Sequence, residues 1–334
     1  MGAYRQGLFS VTSRNLPNFG VYGIDIFFVI SGFIMSMVVL NSATKPGLDA
    51  AWAFTKRRVI RIYPIFWVFE LLTTARLLHG HQLFRQNYFP SFLLLPNALY
   101  PRMIAFSWTL MFEILFYMTM AAILLVTVRR AVEVVIALLC ASATIGIIVG
   151  LHLSAWSVVG NPILIEIVFG AGIALAYRRF GARRPFGIAL VCIGTALSFY
   201  LRAYPPNCAP GPSEILDGRG VLLRIFTWGI AAAAVVGGTV FWSPSIQSRV
   251  GKMCVVIGNA SYSIYLASAL VIEFTLRLFL KFPTGHPLSL GFEIGYQAAI
   301  VAVVLAAGWI CYQFVEWPLV RWLQARSGTK PRTR

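Results

Sequence analysis

Gly23–Phe33 reads GIDIFFVISGF, and the apolar run that surrounds it continues to Leu40. About 20 consecutive apolar residues are what a helix needs to cross the hydrocarbon of a bilayer. Asp25 therefore sits where a charge is costly, at roughly 2.5 kcal/mol or more even on mild scales. The same kind of run recurs along the whole chain, at roughly 20–40, 58–78, 104–127, 131–151, 157–177, 185–202, 221–242, 255–280 and 291–315. The expected fold is all-α, a polytopic bundle of about nine transmembrane helices. The runs are continuous rather than alternating, which excludes a membrane β-barrel. Tyr88–Leu99 (YFPSFLLLPNAL) is too short and too broken by proline to cross, and is expected to be re-entrant or interfacial.

Composition agrees with this. The 334 residues are 58% hydrophobic and 12% charged, about half the charged fraction of a soluble domain. Mean hydropathy is +0.76. A net charge of +17 would suggest nucleic acid in a soluble chain, but in a membrane protein Lys and Arg gather in cytoplasmic loops. The connections on one side of the nine runs hold 17 Lys and Arg and those on the other hold 8. The richer side includes Lys45, Lys56–Arg58, Arg129–Arg130, Arg178–Arg184 and the end of the chain. It is read as cytoplasmic, in the inner membrane of a bacterium, with a cytoplasmic basic tail over 316–334. No nucleic-acid partner is expected; membrane lipids are. The five cysteines (Cys140, Cys192, Cys208, Cys254, Cys311) show no metal spacing and no disulfide framework, and four of them are expected to be packing residues. No metal site is expected. The first 20 residues lack the apolar core of a signal peptide.

Six further acids fall in or near the runs: Glu70, Glu113, Glu166, Glu273, Glu293 and Glu316, with Arg61, Arg224 and Arg277 as candidate partners. So many ionisable groups imply a polar interior, as in a transporter or a membrane-embedded enzyme. In FTKRRVIRIYPIFW (Phe54–Trp67), Arg58 and Arg61 are three apart and share a helix face just before Pro64. Two guanidiniums so placed make a fork for phosphate, suited to a coenzyme or nucleotide-sugar donor. In SWTLMFEILFYM (Ser107–Met118), Glu113 and Tyr117 are four apart on one face, and Trp108 suits the outer interface. Glu113 can pair with an arginine or act as an acid or base; its spacing does not choose.

These residues carry a resemblance. GIDIFFVISGFIM (23–35), KRRVIRIYPIFW (56–67), SWTLMFEILFY (107–117), NPILIEIVFGAGIA (161–174), GNASYSIYLASALV (258–271) and VEWPL (315–319) stand in order as blocks similar to those of acyltransferase family 3, in its exopolysaccharide-production branch. The resemblance covers nearly the whole chain as a single acyltransferase domain. It implies transfer of an acyl group, usually acetyl from acetyl-CoA, to a hydroxyl of a glycan or lipid-linked sugar, with no permanently bound cofactor. It implies that Arg57, Arg58 and Arg61 lie at the cytoplasmic donor entrance. It matches Asp25, Glu113, Tyr117 and Glu166 to acidic or polar family positions, with Asp25, Glu113 and Tyr117 as the catalytic candidates. Asp25 is then expected to line the acyl-transfer cavity or to pair with a block arginine.

The family pattern also opens with a helix bearing an arginine and a histidine, the expected base, for ten spans in all. Here the first block begins at Gly23 and no histidine precedes His79, while Ser268 stands where the family often has another histidine. The final block has Glu316-Trp317-Pro318 where the family often has Glu-Arg-Pro. The expectation is an N-terminally incomplete domain whose activity as given depends on that missing base. His79 and His81 belong to an outer loop, His152 to a span end and His286 to another outer loop, and none is a candidate for the base. The alternatives are a transporter and a non-catalytic component of polysaccharide export, associated with other polysaccharide-assembly proteins.

Overall fold

The computed structural model describes residues 11–79, 88–95, 104, 107–150, 156–202, 212–279 and 290–327. Those residues form helices and short connections, and no strand occurs among them. In chain order the helices are α1 (Val11–Leu40), α2 (Leu48–His79), α3 (Tyr88–Phe92), α4 (Trp108–Val126), α5 (Ala131–Val149), α6 (Trp156–Val159), α7 (Leu164–Phe180), α8 (Arg184–Arg202), α9 (Pro212–Leu216), α10 (Val221–Arg224), α11 (Ile230–Trp242), α12 (Arg249–Phe279), α13 (Leu290–Cys311) and α14 (Trp317–Ser327). Five-residue π-helical turns join α10 to α11 (Ile225–Gly229) and α13 to α14 (Tyr312–Glu316).

Among the described residues, eight segments are long and apolar enough to cross a membrane. The ninth expected span, in α2, does not meet that standard because it carries Lys56, Arg57, Arg58, Arg61, Glu70 and Arg76. At 32 residues it is nonetheless about 48 Å long. Its enclosed face carries polar side chains among apolar ones. Arg58, Glu70 and Thr73 are buried, while Val59, Trp67, Leu71, Leu72 and Leu78 are exposed. Apolar exposed and polar enclosed is the pattern of a helix whose outer solvent is lipid. Average hydropathy misses such a helix because it weighs both faces together.

Helices pack most tightly where glycine lets backbones meet. At the α1–α7 crossing, a Cβ on Gly32 would overlap the carbonyl of Ile167, and one on Gly170 would overlap the carbonyl of Val29. Small residues at a crossing are the usual means of close helix approach in membranes. Gly170→Ala is therefore expected to destabilise the bundle by about 3 kcal/mol or more, the upper range for overpacking. Gly172, two residues on, has nothing within 4 Å of its would-be Cβ, so Gly172→Ala is expected to be neutral or mildly stabilising. Thermal unfolding of the two variants in detergent checks the contrast.

The basic connections gather at one end. Gly47 N donates to Leu124 O at 3.0 Å and Arg183 N to Phe241 O at 2.9 Å. Arg178 Nη1 donates to Leu40 O, and Lys56 Nζ to Ser327 O. The turns after α1, α4, α7 and α11 and the C-terminal end of α14 thus share one face of the bundle, called here the basic end.

Several local expectations change. The last span does not give way to a tail at 316: the helix runs through the π turn to Ser327, because Trp317-Pro318 begins a new helical stretch in which proline needs no N–H partner. Tyr88–Phe92 is helical and docks on α2, with Tyr63 Oη donating to Leu93 O at 3.1 Å, Trp67 Nε1 to Phe92 O at 3.0 Å and Ser91 Oγ to Glu70. Residues 96–99 of that segment lie outside the described residues. Trp108, at the start of α4, faces inward. It is 2% exposed and packs its ring against Phe28 and Phe112. Cys192 and Cys254 are exposed rather than packed, and Cys208 lies outside the described residues. His79 ends α2 and is exposed, whereas His81, His152 and His286 lie outside the described residues.

Candidate active site

Two of the polar groups in the interior are built partly on α1. The first is built on Glu113 of α4. Helical spacing puts Tyr117 one turn further on, and its hydroxyl donates to Glu113 Oε1. Ser31 of α1 donates to the same oxygen at 3.4 Å. Among the described residues both donors go to Oε1, and none donates to Oε2. All three residues are buried. Among the described residues the carboxylate is thus held through one oxygen only.

Arg58 of α2 lies beside this pair. Its guanidinium carbon is 5.7 Å from the centre of the Phe54 ring and 5.9 Å from that of Tyr117, within cation–π range. The side chain is 9% exposed, and its Nε has no hydrogen-bond partner among the described residues. Phe54 and Arg58 are four apart, so the helix itself sets one ring against the charge. Arg61 is half-buried and near enough to act electrostatically on Arg58, Glu113 and Tyr117. Arg57 is exposed, about 100° around α2 from Arg58. Of the three block arginines, the fold brings Arg58 and Arg61 to Glu113 and turns Arg57 away. Arg58 lies about 15 Å along α2 from the first helical residue at the basic end.

Three residues join this group that spacing alone did not single out. Tyr262 of α12 is buried, donates to Ile62 O at 3.2 Å, and is within electrostatic range of Glu113 and Tyr117. Tyr265, one turn on, shares a 2.6 Å hydrogen bond with Thr109 of α4. The third is Ser31 itself. The signal for the tyrosines was present in SYSIYL, where Tyr262 and Tyr265 are three apart on one face.

The second group answers the question posed by Asp25. It is not paired with a block arginine. Arg224, the last residue of α10, donates through Nε to Oδ1 at 2.9 Å and through Nη2 to Oδ2 at 2.6 Å. Glu166 of α7 lies within hydrogen-bonding reach of Asp25, a contact that is a hydrogen bond only when one of the two carboxyls carries a proton. No described residue donates to either Glu166 oxygen. All three side chains are fully enclosed. Pairing overrode the expectation because Arg224 reaches Asp25 from a helix 199 residues away, while Arg58 is turned towards Glu113.

The other acids also find partners. Glu273 pairs with Arg76, and Glu316 accepts from Ser263 Oγ at 2.6 Å. The side chains of Glu293 and Arg277 lie outside the described residues.

A buried carboxylate thus lies near a buried guanidinium, and comparison with known proteins identifies the family. A family model described as an acyltransferase domain matches residues 2–313. The chain belongs to acyltransferase family 3. It is also 27% identical over 320 residues to the exopolysaccharide production protein ExoZ of Rhizobium meliloti (strain 1021), covering 93% of this chain and 92% of the relative. No solved structure matches significantly. This member of the family is thus a multi-pass helical membrane protein, and an acyltransferase by family.

Proposed function

We propose that the protein moves an acyl group, in the first instance acetyl, from acyl-CoA to a hydroxyl of an exopolysaccharide or other cell-surface glycan. The observation that carries this reading is the Glu113 group: a buried carboxylate that accepts from Tyr117 and faces Ser31, with the Arg58 guanidinium within cation–π range of Tyr117. The glycan is proposed from the printed name of the relative, which assigns that protein to exopolysaccharide production. The excess of Lys and Arg at the basic end supports a cytoplasmic face there, with the helix end at Ser327 on that side, in a bacterial inner membrane.

In this mechanism Arg58 and Arg61 bind the anionic phosphates of CoA as it enters from the basic end. The acceptor oxygen attacks the thioester carbonyl carbon; a C–O bond forms and the C–S bond breaks. Among the described residues, Glu113 is the group we assign to receive the hydroxyl proton and return it to the departing sulfur. The sum is one alcohol and one thioester giving one ester and one thiol, with no redox change and no net proton.

Deleting the gene in its own bacterium is expected to remove O-acyl groups from the surface polysaccharide. The wild-type gene should restore them and the Glu113→Gln gene should not. Acylation unchanged by the deletion would remove the assignment, and normal restoration by Glu113→Gln would remove the proposed role of the carboxylate.

A further inference from the structure

The Asp25–Arg224 pair touches no part of the Glu113 group, yet it grips the helix that serves it. Asp25 and Ser31 are six residues apart on α1, about 9 Å along its axis and about 120° around it. Turning α1 would move both side chains together. Sliding α1 is already opposed, since Gly32 and Gly170 bring its backbone into contact with α7. The two-point ion pair to Oδ1 and Oδ2 opposes its rotation as well.

The local chain geometry serves this contact. Directly after Arg224 the helix widens into the π turn Ile225–Gly229, a distortion that recurs at functional positions. Gly229 ends that turn against Glu166; a Cβ there would lie 3.1 Å from Glu166 Oε1. At the far end, Ser31 reaches Glu113 at 3.4 Å. That is longer than the usual hydroxyl hydrogen bond of about 2.5–3.0 Å, so a small rotation of α1 would separate the two groups.

We propose that Arg224 is a positioning residue for acyl transfer: by holding Asp25 it sets the rotation of α1, and thereby seats Ser31 on Glu113. The inference rests on the acyltransferase reading of the Glu113 group. The competing view is an ion pair that merely stabilises the bundle. Removing one partner would strand a buried charge and can prevent folding, so the informative variant removes both charges together, Asp25→Asn with Arg224→Met.

The full chain is reconstituted in lipid and assayed with acetyl-CoA and the glycan acceptor. The double variant is expected to lose at least tenfold in kcat with KM for acetyl-CoA within twofold of wild type. Ser31→Ala, which lowers kcat by itself, should add less than twofold in that background, because the two changes act through one contact. A second arm needs no activity. With the native cysteines replaced by alanine, a short bifunctional thiol reagent joins Ser31→Cys to Glu113→Cys, and the yield should fall at least fivefold when the Asp25 and Arg224 changes are added. Unchanged kcat, a full additional effect of Ser31→Ala, or an unchanged cross-linking yield each overturns the proposal. A wild-type protein that transfers nothing counts against the acyltransferase reading instead, and the cross-linking arm still decides the rotation of α1.

Discussion

Glu113→Gln is expected to lower kcat for acyl transfer by about 10²–10⁴, the usual contribution of a positioned acid–base group. Glutamine keeps the volume of the side chain, and its amide oxygen can still accept from Tyr117 and Ser31. What it loses is the negative charge and the capacity to take a proton. The bundle should therefore fold as before, and KM for acyl-CoA should stay within about threefold, since no contact to the donor phosphates is proposed for Glu113. Release of CoA thiol in the presence of acceptor measures the rate directly. A loss of less than threefold would show that the carboxylate is not part of the chemistry. Tyr117→Phe removes one of the two donors to Oε1 but leaves the charge, so its effect should be the smaller, about tenfold.

Arg58→Ala is expected to act on the other constant. A hydrogen bond to a charged group contributes about 1.5–3 kcal/mol, so removing the donor should raise KM for acyl-CoA by roughly 10- to 150-fold, with kcat at saturation largely kept. Arg58→Lys should not recover wild-type KM. Lysine keeps the charge, but it lacks the planar fork that the guanidinium presents beside the Phe54 and Tyr117 rings. Arg57→Ala is the internal control. Arg57 is exposed on the next strip of the same helix, and its loss should leave KM within about twofold. Equal effects at Arg57 and Arg58 would mean that the whole basic end attracts CoA diffusely. A larger effect at Arg58 alone supports a docked phosphate. Titration of the three variants with acetyl-CoA at fixed acceptor makes the comparison.

Local spacing accounts for what the sequence revealed of this site. Glu113 with Tyr117, and Arg58 with Arg61, are helical neighbours, so one turn of helix suffices to put each pair on a common face. Nothing local pairs Asp25 with Arg224, whose contact depends on how α1, α7 and the π turn meet in three dimensions. Trp108 shows the limit from the other side. An indole at a span end suggests an interface, but the residue is enclosed by Phe28 and Phe112 once the helices assemble. Nine apolar runs stood out in the sequence; among the described residues eight are long and apolar enough to cross a membrane, and the ninth, α2, is the one that carries Arg57, Arg58 and Arg61. Arg58, Glu70 and Thr73 are enclosed with apolar side chains while Trp67, Leu71 and Leu72 face outward, an arrangement that composition alone cannot separate from a half-polar surface helix. The continuation to Ser327 was obscured by Pro318, which here starts a helical stretch rather than ending one.

The central claim is that the enclosed group around Glu113 and Arg58 joins an acyl donor to an alcohol. Purified protein in proteoliposomes, supplied with acetyl-CoA labelled in the acetyl group and with the polysaccharide acceptor, tests it most directly. The account predicts label recovered as a base-labile ester on the glycan, one CoA thiol released for each ester formed, and neither product with Glu113→Gln. Glycan that crosses the bilayer while the label stays on CoA would contradict it.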